Sequence, residues 1–191
     1  GVLIPRSDTE ILVETVIDKI GDKKTTVADI CTGSGCIGIS IAHYKKNTDV
    51  ELFDISDIAL ETAEKNIKRN NVSDRVKSYK MDILNEYPKK KYDVVVSNPP
   101  YIENAVIETL QTEVKDYEPR IALDGGEDGL VFYRRITETA HNFLKKDGLL
   151  AFEIGYNQGE SVRGLMQNDF YDTEVIKDLN DNDRVVIGKL K

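Results

Sequence analysis

The sequence contains no tryptophan, two methionines, two cysteines and two histidines among its 191 residues. Two cysteines, Cys31 and Cys36, are too few for a disulfide scaffold, so a reducing cytoplasm is the expected location. His43 and His141 are far apart and have no ligand-like neighbours, so we expect no metal site. No apolar run approaches the ~18 residues that span a bilayer, and we expect no membrane contact.

The charge balance is acidic, with 26 basic and 34 acidic residues and a net charge of −8. Proteins that bind nucleic acid stably usually carry a basic face, so this balance argues against such a partner. The composition is that of a globular protein, with 40% hydrophobic and 31% charged residues. No repeat or low-complexity linker divides the chain. We therefore expect residues 1–191 to form one domain, and the protein to be a monomer.

Strand-like and helical patterns alternate along the chain, which predicts an α/β fold with a mainly parallel sheet. The predicted strands lie near residues 27–31, 50–53, 76–81, 92–97, 149–154, 172–179 and 184–190. The predicted helices lie near residues 7–20, 37–44, 57–69, 132–143 and 158–168. Ser7 is expected to cap the first helix, with Glu10 completing a capping box.

A glycine-rich segment, Gly33-Ser34-Gly35-Cys36-Ile37-Gly38, connects the first predicted strand to a helix. It has the G-x-G-x-x-G pattern of nucleotide-binding loops. Asp54, at the end of the second strand, is placed to accept hydrogen bonds from ribose hydroxyls. The pattern does not select the ligand. A dinucleotide would place its pyrophosphate on the helix N-terminus, whereas S-adenosylmethionine would place its methionine part near the same loop.

Two further aspartates refine this interpretation. Asp29 precedes Gly33 by four positions, and the resulting D-x-x-x-G-x-G resembles motif I of class I methyltransferases more than an NAD fingerprint. Asp82 ends the third strand beside Ile83, where it could meet an adenine amino group. A glycine turn that only packs a helix on a strand is the competing structural interpretation.

The segment Asn98-Pro99-Pro100-Tyr101 follows the fourth predicted strand. Two prolines remove two backbone donors, so the Pro99 carbonyl need not continue a ladder and can face a cleft. The Asn98 side-chain oxygen and the Pro99 carbonyl can accept the two N–H groups of a planar NH₂ group, and Tyr101 can stack on it. This arrangement favours methyl transfer to an amide or amino nitrogen. The structural alternative is a simple Pro-Pro turn.

This N-P-P-Y segment resembles that of methyltransferases acting on glutamine amides or nucleobase amino groups. Residues 3–10, L-I-P-R-S-D-T-E, closely resemble a segment of the HemK-type protein-(glutamine-N5) methyltransferases. Residues 117–126, Y-E-P-R-I-A-L-D-G-G, resemble that family's E-P-x-x-A-L-x-G-G segment. Residues 152–155 and 183–186 also have counterparts, so the resemblance covers nearly the whole chain.

The resemblance implies a Rossmann-like class I fold that uses S-adenosylmethionine, with a seven-stranded mostly parallel sheet and helices on both faces. It implies N5-methylation of the Gly-Gly-Gln glutamine of peptide chain release factors. The implied cofactor-binding residues are Asp29, Thr32, Gly33, Gly35, Asp54, Ile55, Asp82, Ile83 and Asn98. The implied catalytic residues are Asn98, Pro99, Pro100 and Tyr101, and the implied substrate-binding residues are Asn98, Pro99, Tyr101 and Glu118.

Several alternatives remain at this stage. The family's small N-terminal helical domain has no counterpart here, so we expect a catalytic domain only. A DNA or RNA amino-methyltransferase would share N-P-P-Y, and an NAD-dependent oxidoreductase would share the glycine loop but lacks a Tyr-x-x-x-Lys pair. A catalytically silent cofactor-binding protein is a further alternative. Thr9 and Glu10 either cap a helix or close a pocket, and Glu118 either binds substrate or pairs with Arg120.

Overall fold

A seven-stranded sheet forms the centre of the computed structural model, which describes residues 1–115 and 117–191. The strands are β1 (Thr25–Ile30), β2 (Thr48–Asp54), β3 (Val76–Lys80), β4 (Tyr92–Ser97), β5 (Leu144–Glu153), β6 (Phe170–Lys177) and β7 (Asp183–Leu190). Their order is β3-β2-β1-β4-β5-β7-β6. The first five pair in parallel, and β7 is antiparallel to both β5 and β6. The predicted mostly parallel α/β fold is confirmed.

Helices connect the strands. They are α1 (Thr9–Ile20), α2 (Cys36–Tyr44), α3 (Asp57–Arg69), α4 (Asn104–Ile107), α5 (Thr112–Lys115), α6 (Val131–Phe143) and α7 (Gly159–Met166). A 3-10 turn covers Arg120–Ala122. The predicted long helices agree with these bounds to within about two residues, whereas α4, α5 and the 3-10 turn lie in a segment of weak periodicity and were not predicted. None of the helices described is long and apolar enough to cross a membrane.

The predicted Ser7 cap is wrong. Helix α1 begins at Thr9 with Asp8 at the N-cap, and no side chain caps it. The backbone at Asp8 is already helical, and the amides of Thr9 and Glu10 donate to the carbonyls of Arg6 and Ser7. Backbone carbonyls therefore already accept these amides, and the side chains of a capping box find no free amide there.

Two apolar layers enclose the sheet, as the alternation of strand side chains requires. On β4, Val95 packs into the layer that contains Ile136 and Phe143 of α6. Its neighbours Val94 and Val96 pack into the opposite layer, with α1, α2 and α3. Between β1 and β4 the strand order reverses direction, which opens a crevice at the carboxyl ends of these strands.

Two glycines provide a matched test of this packing. A Cβ at Gly38 in α2 would collide with Leu52 and lie 3.0 Å from Val50 Cγ1, whereas one at Gly164 in α7 would meet nothing within 4 Å. We expect Gly38→Ala to lower the free energy of unfolding by about 1–3 kcal/mol through overpacking. Gly164→Ala should raise it by about 0.5–1 kcal/mol by removing backbone entropy. Urea denaturation measures both, and equal stabilities would contradict the packing described.

Candidate active site

A cleft opens at the carboxyl ends of β1, β2, β3 and β4. The space inside it amounts to about 980 Å³, including the part that is open to solvent. The predicted site residues that line it are Thr32, Gly33, Asp54, Ile55, Asp82, Ile83, Asn98 and Pro100. Parallel strands therefore bring together side chains that are distant in sequence.

Five other predicted site residues do not line this cleft: Asp29, Gly35, Pro99, Tyr101 and Glu118. Gly35 is the N-cap of α2 at φ 79°, a left-handed conformation that glycine adopts without strain. A Cβ there would lie 2.8 Å from Ile39 Cδ1 and 3.2 Å from Ala63 Cβ, so a side chain at this position would also crowd its neighbours. Pro99 is buried, and its two sequence neighbours, Asn98 and Pro100, line the cleft.

The Asp29 carboxylate supports the glycine loop from beneath. It is fully buried, and its Oδ2 accepts hydrogen bonds from the Thr32 hydroxyl at 2.6 Å and the Gly38 amide at 3.0 Å. Burial raises the pKa of Asp29 to about 7, against the lowering effect of these two hydrogen bonds. The side chain therefore holds the loop between β1 and α2 in shape.

Asp54 and Asp82 each accept hydrogen bonds from nearby residues and also line the cleft. Asp54 accepts the Gly33 amide at 2.8 Å through Oδ2 and the Ser56 amide at 2.9 Å through Oδ1. Asp82 accepts the Leu84 amide at 3.0 Å and the Asn85 side chain at 2.6 Å, which closes its own turn. A carboxylate oxygen has more than one acceptor direction, so both side chains keep capacity for a ligand in the cleft.

Hydrogen bonds fix the Asn98–Tyr101 segment at both of its ends. Ser97 at the end of β4 donates its hydroxyl to the Ile30 carbonyl at 2.6 Å, which ties β4 to β1. The Tyr101 carbonyl accepts the Gln158 side-chain amide at 3.1 Å. Among residues 1–115 and 117–191, no hydrogen bond ends on the Pro99 carbonyl. Sequence reasoning missed Gln158, because its contact with Tyr101 joins positions 57 residues apart.

The amino-terminal segment forms one wall of the cleft. Its position in the sequence did not predict this contact. Its lining residues are Gly1, Val2, Leu3, Pro5, Arg6 and Thr9. Arg6 Nη2 lies 3.3 Å from Glu118 Oε1, and the Glu118 side chain is only 6% exposed. The alternative pairing of Glu118 with Arg120 is wrong, because Arg120 pairs with Glu108 and Asp124. Thr9 is both the first residue of α1 and part of the wall.

The two cysteines also line the cleft. Burial raises the pKa of Cys36 to about 11, and burial together with the negative charge of Asp54 raises that of Cys31 further. Both side chains are therefore thiols at neutral pH, which argues against nucleophilic cysteine chemistry. In the described part of the chain, no group of three or more His, Cys, Asp or Glu residues is arranged to hold a metal ion.

This combination of fold and cleft defines the Rossmann-like S-adenosylmethionine-dependent methyltransferases. The solved structure of ribosomal protein L11 methylase from Lactobacillus delbrueckii subsp. bulgaricus has the same fold, with a TM-score of 0.68 and 21% identity over 100% of this chain and 81% of that one. Residues 7–116 match the family described as "Methyltransferase small domain".

Proteins with higher sequence identity to this chain indicate which family of methyltransferases it belongs to. The release factor glutamine methyltransferase of Clostridium botulinum is 49% identical over 97% of this chain and 67% of its own length. The solved protein-(glutamine-N5) methyltransferase (release factor-specific) of Alicyclobacillus acidocaldarius is 29% identical, with a TM-score of 0.58 over 98% of this chain and 94% of that one. The chain belongs to the release factor glutamine methyltransferase family, and its cofactor is S-adenosylmethionine.

The residues of the cleft fit that cofactor. Asp54 offers acceptor capacity for ribose hydroxyls, and Asp82 offers the same for an amino group. Apolar side chains suited to a purine ring line the same cleft, namely Phe53, Ile55, Met81, Ile83 and Phe132. The glycine loop contributes a wall without side chains at Gly33.

The proposed ribose contact can be tested with S-adenosylhomocysteine, the product form of the cofactor. We expect Asp54→Ala to weaken its binding by about 1–3 kcal/mol, because ribose hydroxyls and the Gly33 amide lose their acceptor. Isothermal titration calorimetry measures this change. Asp49→Ala, on the opposite end of β2, is the matched control. An unchanged dissociation constant for Asp54→Ala would contradict the assignment.

Proposed function

We propose that this enzyme transfers a methyl group from S-adenosylmethionine to the side-chain amide nitrogen of a glutamine in a peptide chain release factor. The observation that carries the proposal is that Asn98 and Pro100 line the cleft, while the carbonyl of Pro99 between them accepts no hydrogen bond from the described residues. The names of its relatives support the same substrate. In this proposal residues 1–191 are the catalytic unit, and the reaction takes place in the cytoplasm, where release factors act.

Asn98 and Pro99 would prepare the amide nitrogen, which is a poor nucleophile because its lone pair is delocalised. The Asn98 side-chain oxygen and the Pro99 carbonyl would accept its two N–H groups. This pairing fixes the NH₂ group and increases the electron density on the nitrogen, a combination of orientation and electrostatics. Pro100, buried in the cleft wall, would keep the Pro99 carbonyl in place because its ring restricts the backbone.

When bound, S-adenosylmethionine supplies an electrophilic methyl group on a positively charged sulfur. The amide nitrogen held by Asn98 and Pro99 would accept this methyl group, and the electron pair of the broken carbon–sulfur bond would stay on sulfur. The nitrogen then loses a proton to water. The nitrogen becomes acidic only after it gains the methyl group, so this chemistry needs no strong base.

Tyr101 and Glu118 do not line the cleft, and we propose that they contribute to the substrate side from beside it. Burial raises the pKa of the Tyr101 phenol, so the ring stays neutral and can cover a planar amide. Glu118 acts through Arg6, because their ion pair holds the amino-terminal wall in position. Breaking that pair would leave a largely buried carboxylate without its partner.

The substrate is tested by methyl transfer from labelled S-adenosylmethionine to a purified release factor. A second release factor, with the glutamine of Gly-Gly-Gln replaced by alanine, is the matched control. We expect label in the first protein and none in the second. Equal labelling of both, or of neither, would contradict the proposed function.

The role of Asn98 is tested in the same assay. We expect Asn98→Ala to slow methyl transfer by about 10²–10³-fold, the cost of losing one preorganised electrostatic contact. The variant should still bind S-adenosylhomocysteine, which separates this effect from misfolding. Asn180→Ala, in an exposed turn, is the control. Normal turnover of Asn98→Ala would refute the role.

A further inference from the structure

A buried glutamate lies beside Asn98 and has no part in the mechanism above. Strands β4 and β5 are parallel neighbours, and Ser97 pairs with Phe152 at the end of their ladder. The next residues, Asn98 and Glu153, therefore leave the two strand ends side by side. The Glu153 backbone is fixed there, because its carbonyl accepts the buried Tyr133 hydroxyl at 2.8 Å.

The Glu153 side chain is costly to bury. It is 2% exposed, and its Oε2 has no hydrogen-bond partner within residues 1–115 and 117–191. An unpaired buried carboxylate destabilises the fold unless other groups stabilise it or it becomes protonated. Such a residue at the edge of a catalytic cleft is a candidate for a functional role.

Groups from several elements face Glu153. Burial, with a smaller contribution from the negative charge of Asp8, raises its pKa to about 7. The Thr9 hydroxyl, the Arg184 charge and the Asn98 side chain act in the opposite direction. The remaining titratable neighbours are the phenols of Tyr101 after β4 and Tyr133 on α6, and the thiol of Cys36 on α2.

Arg184 compensates only part of this negative charge. Its guanidinium lies 3.2 Å from Asp178 and 3.3 Å from Asp8, so its charge is shared with two other carboxylates. Arg184 also donates to the Ile154 carbonyl, and no bond to the Glu153 side chain is formed. Glu153 thus remains available to a neighbouring donor.

We propose that the Glu153 carboxylate is a positioning residue, which accepts a hydrogen bond from the Asn98 side-chain NH₂ and thereby turns the Asn98 oxygen toward the cleft. This inference rests on the proposed function, in which that oxygen accepts an N–H group of the substrate amide. Glu153 does not line the cleft itself and acts through Asn98.

The chemistry of the two side chains explains why a carboxylate suits this position. The oxygen and nitrogen of an asparagine amide are almost the same size, so shape alone does not select its orientation. An ionised carboxylate only accepts hydrogen bonds, so it selects the NH₂ group and leaves the oxygen for the substrate. A protonated carboxyl can donate to that oxygen instead, which would present the Asn98 NH₂ to the substrate NH₂, donor against donor.

The sign of the pH dependence follows from this argument. The ionised form of Glu153 is the productive one, and its pKa is about 7. Methyl transfer is therefore expected to rise as the pH increases through about 7 and to level off above it. Replacement by glutamine keeps the shape of the side chain but removes the titration.

The orientation of Asn98 can be tested without any substrate. The Asn98 side-chain amide gives a pair of ¹H–¹⁵N signals in the full chain, which are assigned by their loss in Asn98→Ala. We expect these signals to shift with a midpoint near pH 7 in the unmodified protein and in the Glu138→Gln control, whose glutamate is exposed. The shift should be absent in Glu153→Gln. Signals without a response near neutral pH in the unmodified protein, or the same response in Glu153→Gln, would overturn the proposal.

Kinetics give a second, independent test. We expect Glu153→Gln to lower kcat by up to about 100-fold, the cost of misplacing a reacting group by about 1 Å. The KM for S-adenosylmethionine should stay unchanged, and the rise of kcat through neutral pH should disappear. A variant with normal kcat and the same pH profile would overturn the proposal. If the unmodified enzyme does not methylate the release factor, the proposed function fails, and the amide titration still decides the role of Glu153.

Discussion

The loop that forms the cleft depends on one buried carboxylate. Asp29 at the end of β1 accepts the Thr32 hydroxyl and the Gly38 amide, and so spans the turn between strand and helix. Asp54 on the neighbouring strand then accepts the Gly33 amide from the same turn. Two carboxylates from adjacent strands thus fix a glycine loop that has little stiffness of its own. Burial raises the pKa of Asp29, which is the electrostatic cost of this support.

The parallel sheet brings the remaining chemistry to the same edge. The segment that begins with Asn98 follows β4, and Glu153 is the last residue of β5, the next strand. Because parallel neighbours end at one edge, acceptors from separate parts of the chain lie around a single cleft. The amino-terminal segment closes another side and is held by the ion pair of Arg6 with Glu118.

Much of this architecture was predictable from local patterns. Runs such as Val94-Val95-Val96 indicated buried strands, and the G-x-G-x-x-G segment indicated the loop at the correct strand end. Two local predictions were wrong, each for its own reason. Ser7 is not a cap, because a backbone turn satisfies the first amides of α1. Glu118 does not pair with Arg120, because Arg6, 112 residues away in sequence, reaches it instead.

Helix and strand periodicity, the glycine loop and the N-P-P-Y segment are properties of neighbouring residues, so the amino-acid sequence specifies them directly. The cleft wall formed by residues 1–9 and the proximity of Glu153 to Asn98 depend on which strands are neighbours. Strand order results from the packing of helices on both faces of the sheet, and no short segment encodes it. A carboxylate that looks unremarkable in F-E-I-G is therefore placed beside the catalytic segment only when β4 and β5 pair.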